Sequence, residues 1–325
     1  MNINHQELKV VVIGGGTGLS TMLKGLKKYT SHITAIVTVA DNGGGSGKIR
    51  EEMGIMPPGD IRNCLVALAN TEPIMEKVLQ YRFKEGSLKG QNLGNLFLAA
   101  LTDITGGFER AVKVTGNVLA ITGSVLPVTL ENVQLRAVFE DGRVIEGETQ
   151  IVEYGKLSKV LIKDITLNPV QPKPIKEAAS ALQEADIIIL GPGSLYTSII
   201  PNLLVESIPM LIAKSNAHKI YVANIMSQPG ETTGFSIEEH IRILEKYIGE
   251  NVIHSVVVNN EAIDDKYLEQ YMEEGADVLR YNEQDELWNR IKKSEAALVK
   301  IHRDQKFIRH DSDKLAACIF KEFIH

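Results

Sequence analysis

Three glycine-rich segments have the composition of loops that bind phosphate groups. The first follows the apolar run 9–13 and consists of Gly14, Gly15, Gly16, Thr17 and Gly18. Glycine lets the backbone approach a diphosphate, and the N–H groups at a following helix N-terminus bind the anion. This segment has more adjacent glycines than a tight turn requires, so it predicts a phosphate loop. The dinucleotide spacing G-x-G-x-x-G is only partly met, because Leu19 occupies the third glycine position.

The second glycine-rich segment, residues 43–47, follows Asp41 and Asn42. An acidic residue that ends the second strand binds ribose hydroxyls in NAD proteins, so Asp41 keeps NAD as an alternative ligand. The segment is not a P-loop, because Asn42 and Ile49 stand where that motif has glycine and Ser or Thr. We expect a mobile flap over the same ligand.

Two later segments also follow predicted strands. Gly193, Ser194 and Tyr196 come after the apolar run 186–190 and supply N–H, hydroxyl and phenol groups. Gln228 and Glu231 lie in a stretch rich in amide and hydroxyl groups, which predicts a specificity loop.

Polar residues precede two helical patterns. Asp60 and Asn92 are predicted N-caps, and for Asp60 contact with the ligand is an equal alternative. The histidines, among them His310, lack metal-ligand spacing, and no nucleophile motif or acid–base set can be assembled from the sequence. The sequence therefore predicts a bound phosphorylated ligand more clearly than a reaction.

The elements that position these segments alternate between strand and helix. A strand over residues 9–13, a helix with one apolar face and a strand over residues 33–39 make a βαβ unit. Strands are also predicted at 186–190, 219–225 and 252–258. The pattern predicts one Rossmann-like α/β domain over residues 1–325, with a mostly parallel sheet, helices on both faces and a β-rich insert at about 116–168. Ligands of such sheets bind at the carboxyl ends of strands, near a topological switch point.

Composition excludes several classes of protein. The chain is 44% hydrophobic and 23% charged, as in globular proteins, and its apolar runs are shorter than a membrane span. Residues 1–9 are polar, so we expect a cytoplasmic protein without membrane insertion. The net charge of −6 argues against nucleic-acid binding. Cys64 and Cys318 are predicted to be buried, reduced thiols.

Seven motifs, in this order, resemble those of the gluconeogenesis-factor family (YvcK type), which is related to 2-phospho-L-lactate transferase (CofD type). They are GGGTGLS, TVADNGGGSGKIR, PPGDIRN, NLGNLFLAAL, GPGSLYTSIIPNLL, SQPGET and RHDSDKLA. The resemblance implies a Rossmann-like fold, binding of a UDP-sugar of the UDP-N-acetylglucosamine class, and regulation of carbon metabolism, envelope synthesis and cell shape. It also implies homo-oligomers and contact with regulatory or envelope-synthesis proteins.

The resemblance further implies which residues contact the nucleotide. Arg309 would pair with the diphosphate, and Tyr271 would stack on uracil. With Asp41, Gln228 and Glu231, which the loop chemistry above suggested, the candidate nucleotide-binding set is Gly14, Gly15, Gly16, Thr17, Gly18, Asp41, Asn42, Asn63, Asn92, Asn95, Gly193, Ser194, Tyr196, Gln228, Glu231, Tyr271 and Arg309.

The related transferases imply an alternative function. They typically have paired acids where this chain has Asp41 and Asn42, and loss of one carboxylate weakens any Mg²⁺ site. A transferase that uses a nucleotide-activated donor would have Asp41 and Asp60 as its catalytic or metal-binding candidates.

Overall fold

The structure, a computed structural model, describes residues 5–302 and 307–321. The strands are β1 (Val10–Gly14), β2 (Ile33–Val37), β3 (Ser124–Pro127), β4 (Gln134–Phe139), β5 (Val144–Glu146), β6 (Ile162–Asn168), β7 (Ile187–Leu190), β8 (His218–Val222), β9 (Ser255–Asn259), β10 (Lys292–Ala296), β11 (Val299–His302) and β12 (Phe307–His310). The helices are α1 (Gly16–Leu26), α2 (Gly44–Met53), α3 (Gly59–Leu68), α4 (Pro73–Gln80), α5 (Leu93–Thr105), α6 (Phe108–Val118), α7 (Glu148–Ser158), α8 (Lys176–Glu184), α9 (Ile200–Leu203), α10 (Ile208–Lys214), α11 (Ile237–Ile248), α12 (Asp265–Glu273) and α13 (Ser312–Lys321).

The central sheet is parallel and has the spatial order β10-β9-β8-β7-β1-β2-β3. Strand order reverses between β1 and β7, which pair in register from Val10 opposite Ile187 to Ile13 opposite Leu190. The crevice above the carboxyl ends of β1 and β7 is therefore the topological switch point, where ligands of open α/β sheets bind. The predicted Rossmann-like class is confirmed.

Two apolar cores cover the two faces of this sheet. Alternate side chains of β1 belong to different cores, since Val10 and Val12 face one side while Val11 and Ile13 face the other. The first core includes the predicted apolar face of α1, whose Leu19, Met22, Leu23 and Leu26 are all buried. Strands buried on both faces read as continuous β-branched runs, which explains why the sequence marked them clearly.

The β-rich region begins later than the sequence indicated. Residues 116–118 end α6, and β3 is the edge strand of the central sheet. Strands β5, β4 and β6 then form a separate antiparallel sheet, with the expected hairpin at Asp141 and Gly142. The unpredicted α7 lies between β5 and β6, and Leu135, Phe139 and Ile165 of the small sheet pack into the second core.

Two local expectations were wrong. The predicted mobile flap at residues 43–47 is mostly the first turn of α2, which is N-capped by Gly43. Asp60 is not an N-cap, because α3 begins at Gly59 with Pro58 as its cap residue. Asn92, in contrast, does cap α5 and accepts a hydrogen bond from the backbone of Asn95.

Two global properties concern cysteines and membrane spans. Cys64 is buried as expected, whereas Cys318 is only half-buried, because it lies on a partly exposed face of α13. Within residues 5–302 and 307–321, no single helix is long and apolar enough to cross a membrane. One pair of helices, Leu195–Leu203 and Ile208–Lys214, has the combined length and apolar composition of a membrane span but is bent by 80°.

Candidate functional site

A cleft of about 270 Å³ lies at the switch point between β1 and β7. The segments that follow β1, β7 and β8 line it together with residues of α12 and β12. Its lining comprises Gly15, Gly16, Thr17, Gly18, Thr21, Pro192, Gly193, Ser194, Ser198, Asn224, Ile225, Met226, Gln228, Tyr271, Ile308, Arg309 and His310. Residues distant in sequence therefore form one composite pocket.

The two glycine loops touch each other backbone to backbone. A Cβ atom at Gly18 would lie 2.7 Å from the carbonyl oxygen of Pro192, and one at Gly193 would lie 3.3 Å from that of Gly15. Gly16 has a φ of +69°, a left-handed conformation that favours glycine. The first N–H groups of a helix have no partner within it, and Thr17 and Gly18 at the start of α1 line the cleft, which suits a phosphate.

Two asparagines fix the loops in this arrangement. Asn224 accepts a hydrogen bond from Gly193 N at 3.0 Å and donates one to Gly193 O at 2.7 Å. Buried Asn202 donates to the carbonyl oxygens of Gly14 and Ser198. Because both side-chain amides are bonded to backbone groups of the loops, they fix the positions of the loops. Asn224 also lines the cleft.

Part of the lining is apolar and lies next to one cationic group. Ile225, Met226 and Ile308 form a small cluster against which Tyr271 packs, and the Tyr271 hydroxyl accepts a hydrogen bond from Ile308 N at 2.9 Å. Arg309 follows Ile308 on β12 and lines the same cleft. The structure thus places a phenol ring and a guanidinium in the same cleft as the glycine loops, so its lining offers groups for both a nucleoside and a diphosphate.

Carboxyl groups lie behind the first glycine loop. Asp60 accepts the N–H of Gly16, and a Cβ atom at Gly15 would lie 2.6 Å from its Oδ2. Burial, and secondarily the charge of Asp41, raises the pKa of Asp60 to about 6. Asp41 in turn accepts the N–H of Gly43 at 2.7 Å. The two catalytic candidates are therefore neighbours.

Glu148, the first residue of α7, completes this acidic group. It is hydrogen-bonded to Asp41, and burial with the charge of Asp41 raises the pKa of Glu148 well above its usual range. Two carboxyl groups in such contact share a proton. Within the described parts of the chain, no three His, Cys, Asp or Glu side chains are arranged to hold a metal ion. A cation would have to displace the shared proton of this pair.

The remaining predicted residues lie outside the cleft lining. Asn42 bonds to the backbone N–H of Thr149 and to Gln150 at the start of α7, and Asn63 accepts from Arg62. Asn95 donates to Ser46. Asn92 is the cap already described, and Gly14 ends β1. The predicted set thus divides into Gly15, Gly16, Thr17, Gly18, Gly193, Ser194, Gln228, Tyr271 and Arg309, which line the cleft, and Gly14, Asp41, Asn42, Asn63, Asn92, Asn95, Tyr196 and Glu231, which do not.

Glu231 and Tyr196 form part of the scaffold beneath the second loop. The Glu231 carboxylate accepts hydrogen bonds from the backbones of Tyr196 and Thr197 and from the Thr197 hydroxyl. Burial raises the pKa of Glu231 to about 7, despite these donors. Tyr196 is 5% exposed and belongs to a core, and burial raises the pKa of its phenol to about 12. Glu231 thus holds the π-helical turn Leu195–Ile199 that follows Ser194.

Sequence reasoning missed four polar residues of the cleft: Thr21, Ser198, Asn224 and His310. Thr21 and Ser198 lie one turn into the elements that follow the two loops, so helical periodicity could have indicated them. Nothing local distinguishes Asn224 or His310, because their partners are distant in sequence.

Comparison with known proteins identifies relatives along nearly the whole chain. The model of the family described as 2-phospho-L-lactate transferase CofD matches residues 10–300. The "Putative gluconeogenesis factor" of Thermoanaerobacterium thermosulfurigenes is 54% identical over 95% of this chain and 94% of its own. The gluconeogenesis factor of Bacillus subtilis is 44% identical over 97% and 98%. A crystal structure of a UPF0052-family protein from Bacillus halodurans superposes with a TM-score of 0.90 at 40% identity, covering 96% of this chain and 98% of the other.

Proposed function

The chain belongs to the CofD family and is similar to its gluconeogenesis factors, and within this family we propose that it is a nucleotide-sugar-binding regulator. Its ligand is of the UDP-N-acetylglucosamine class. The bound state acts on carbon metabolism, envelope synthesis and cell shape through contacts with other proteins and within a homo-oligomer. This proposal is supported by the several loops that meet at the switch point, where the cleft lining does not include an acid–base pair among the described residues.

The main observation behind the proposal is which chemical groups line the cleft. Backbone N–H groups at the start of α1 and the Arg309 guanidinium supply donors for a diphosphate, and Tyr271 supplies a ring face for a base. The described residues that line the cleft include no carboxylate. Asp41, which an NAD site would use for ribose hydroxyls, also lies outside it. The donors and the ring in the cleft, and the lack of a carboxylate among the described lining residues, favour binding of a nucleotide sugar over acid–base catalysis of its reaction.

Titration calorimetry tests the proposal. We expect UDP-N-acetylglucosamine to bind with a dissociation constant in the micromolar range or below, and NAD to bind more weakly. UMP should also bind more weakly, because it lacks the second phosphate. A protein that binds none of the UDP-sugars would contradict the proposed function.

The acidic group favours a second candidate, a transferase of the CofD type. Asp41, Asp60 and Glu148 border the loop that would hold the donor diphosphate, and carboxylates are the ligands Mg²⁺ prefers. Incubation with Mg²⁺, nucleotide-activated donors and acceptors would then release nucleotide. The matched control is Asp41→Asn, which preserves size and removes the charge. Equal nucleotide release by the parent and this variant would eliminate the transferase.

A further inference from the structure

His310 is a buried imidazole whose tautomer is set by the fold. It ends β12, directly after Arg309, and is 7% exposed. Its ring donates a hydrogen bond to the carbonyl oxygen of Ala223, beyond the carboxyl end of β8, and Nε2 is the nitrogen without a partner. Nδ1 is therefore the protonated nitrogen. Burial lowers the pKa of His310 to about 4, so the ring is neutral and Nε2 presents a lone pair.

Nε2 of His310 and Oε1 of Gln228 share an uncommon property. Both atoms are buried without a hydrogen-bond partner, and both residues line the cleft. Buried acceptors are nearly always paired in folded proteins, since an unpaired one loses its bonds to water without replacement. Two such acceptors in one cleft indicate that a ligand supplies the missing donors.

The two acceptors demand a different ligand chemistry from the rest of the cleft. The glycine loops and Arg309 present donors, which match phosphate oxygens. A phosphate oxygen beside a neutral imidazole lone pair would be repelled, because neither atom carries a proton. The donor must therefore come from an uncharged part of the ligand, and hydroxyl groups are the donors that a nucleotide sugar carries in greatest number.

We propose that His310 is a specificity-determining residue of the cleft, whose Nε2 accepts a hydrogen bond from a sugar hydroxyl of the bound nucleotide sugar, with Gln228 Oε1 as a second acceptor. This assignment rests on the proposed function and adds to it the groups that the protein recognises besides the diphosphate. The hydroxyl belongs either to the ribose or to the attached hexose.

Calorimetry with matched variants and ligands tests the assignment. His310→Phe retains a planar ring but has no acceptor, and we expect it to bind UDP-N-acetylglucosamine at least 10-fold more weakly than the parent. His310→Gln places an amide oxygen near the position of Nε2 and should recover part of this affinity. Gln228→Leu, in a half-buried loop, tests the second acceptor if the His310 variants are unstable. Circular dichroism and thermal melting report folding.

The ligand series locates the hydroxyl. If the hexose supplies it, the penalty of His310→Phe is confined to UDP-N-acetylglucosamine and absent with UDP. If the ribose supplies it, the penalty persists with UDP and disappears with 2′-deoxy-UDP or 3′-deoxy-UDP. Parental affinity in folded His310→Phe and Gln228→Leu, or one penalty common to every ligand, overturns the assignment alone. Failure of the parent to bind any of these ligands overturns the proposed function and the assignment with it.

Discussion

Substitution of Gly18 by alanine tests whether close approach of the two glycine loops creates the binding site. A Cβ atom there would lie 2.7 Å from the Pro192 carbonyl oxygen, whereas ordinary contact begins at 3.4 Å, so the loops must separate by about 0.7 Å. Neither the Cβ atom nor the carbonyl oxygen can rotate away, because the backbone fixes the position of each. Overpacking of this kind costs about 1–3 kcal/mol, and the gain in helix propensity offsets about 1 kcal/mol. We therefore expect a net loss of roughly 0–2 kcal/mol in the free energy of unfolding.

The effect of Gly18→Ala on affinity should exceed its effect on stability. Separation of the loops moves N–H donors away from the anion, and loss of one hydrogen bond to a charged group costs about 1.5–3 kcal/mol, or at least 10-fold in the dissociation constant. Gly14→Ala is the matched control in the same motif, since its Cβ would meet only Leu19 and Gly191 atoms at 3.8–3.9 Å. Calorimetry and thermal melting of both variants provide the assay. Parental binding by Gly18→Ala, or equal loss by both, would refute the reasoning.

Three further substitutions test other parts of the site. Gly16→Val forces a β-branched residue into a φ of +69° and should largely abolish nucleotide binding, a loss of roughly 2–4 kcal/mol in calorimetry, while circular dichroism still shows a folded protein. Arg309→Ala should weaken binding of UDP more than that of UMP, and an equal loss for both would exclude its pairing with the diphosphate. Glu148→Gln should raise the melting temperature near pH 8 but not near pH 5. The stability that Glu148 contributes is fully present below its unfolded pKa and is lost as the pH rises toward its raised folded pKa. A pH-independent difference would exclude a shared proton between Glu148 and Asp41.

The sequence predicted best those elements whose cause is local. Runs of β-branched residues marked β1 and β2 because both faces of a parallel strand are buried, and apolar spacing marked α1. Helix α2 escaped prediction because its glycines disfavour an isolated helix. Tertiary packing overrides that preference: a Cβ atom at Gly47 would lie within 2.1 Å of the Asn42 carbonyl oxygen, so the close approach admits no side chain. Such a contact has no signature in composition.

The two halves of the cleft differ in the same way. The half that we propose binds an anion consists of backbone groups in short motifs, so the glycines and the rule for parallel strands predicted its position at the switch point. The half that contains the unpaired acceptors depends on which of two adjacent side chains is buried. His310 is buried and bonded to the Ala223 carbonyl, whereas the adjacent Arg309 is half-exposed. Tyr196 and Glu231 show the converse, because these polar residues of two loop motifs are buried beneath the second glycine loop instead of lining the cleft. Sequence motifs therefore lead to the proposal of a bound phosphate, whereas the proposal of hydroxyl recognition depends on buried acceptors that only the folded chain brings together.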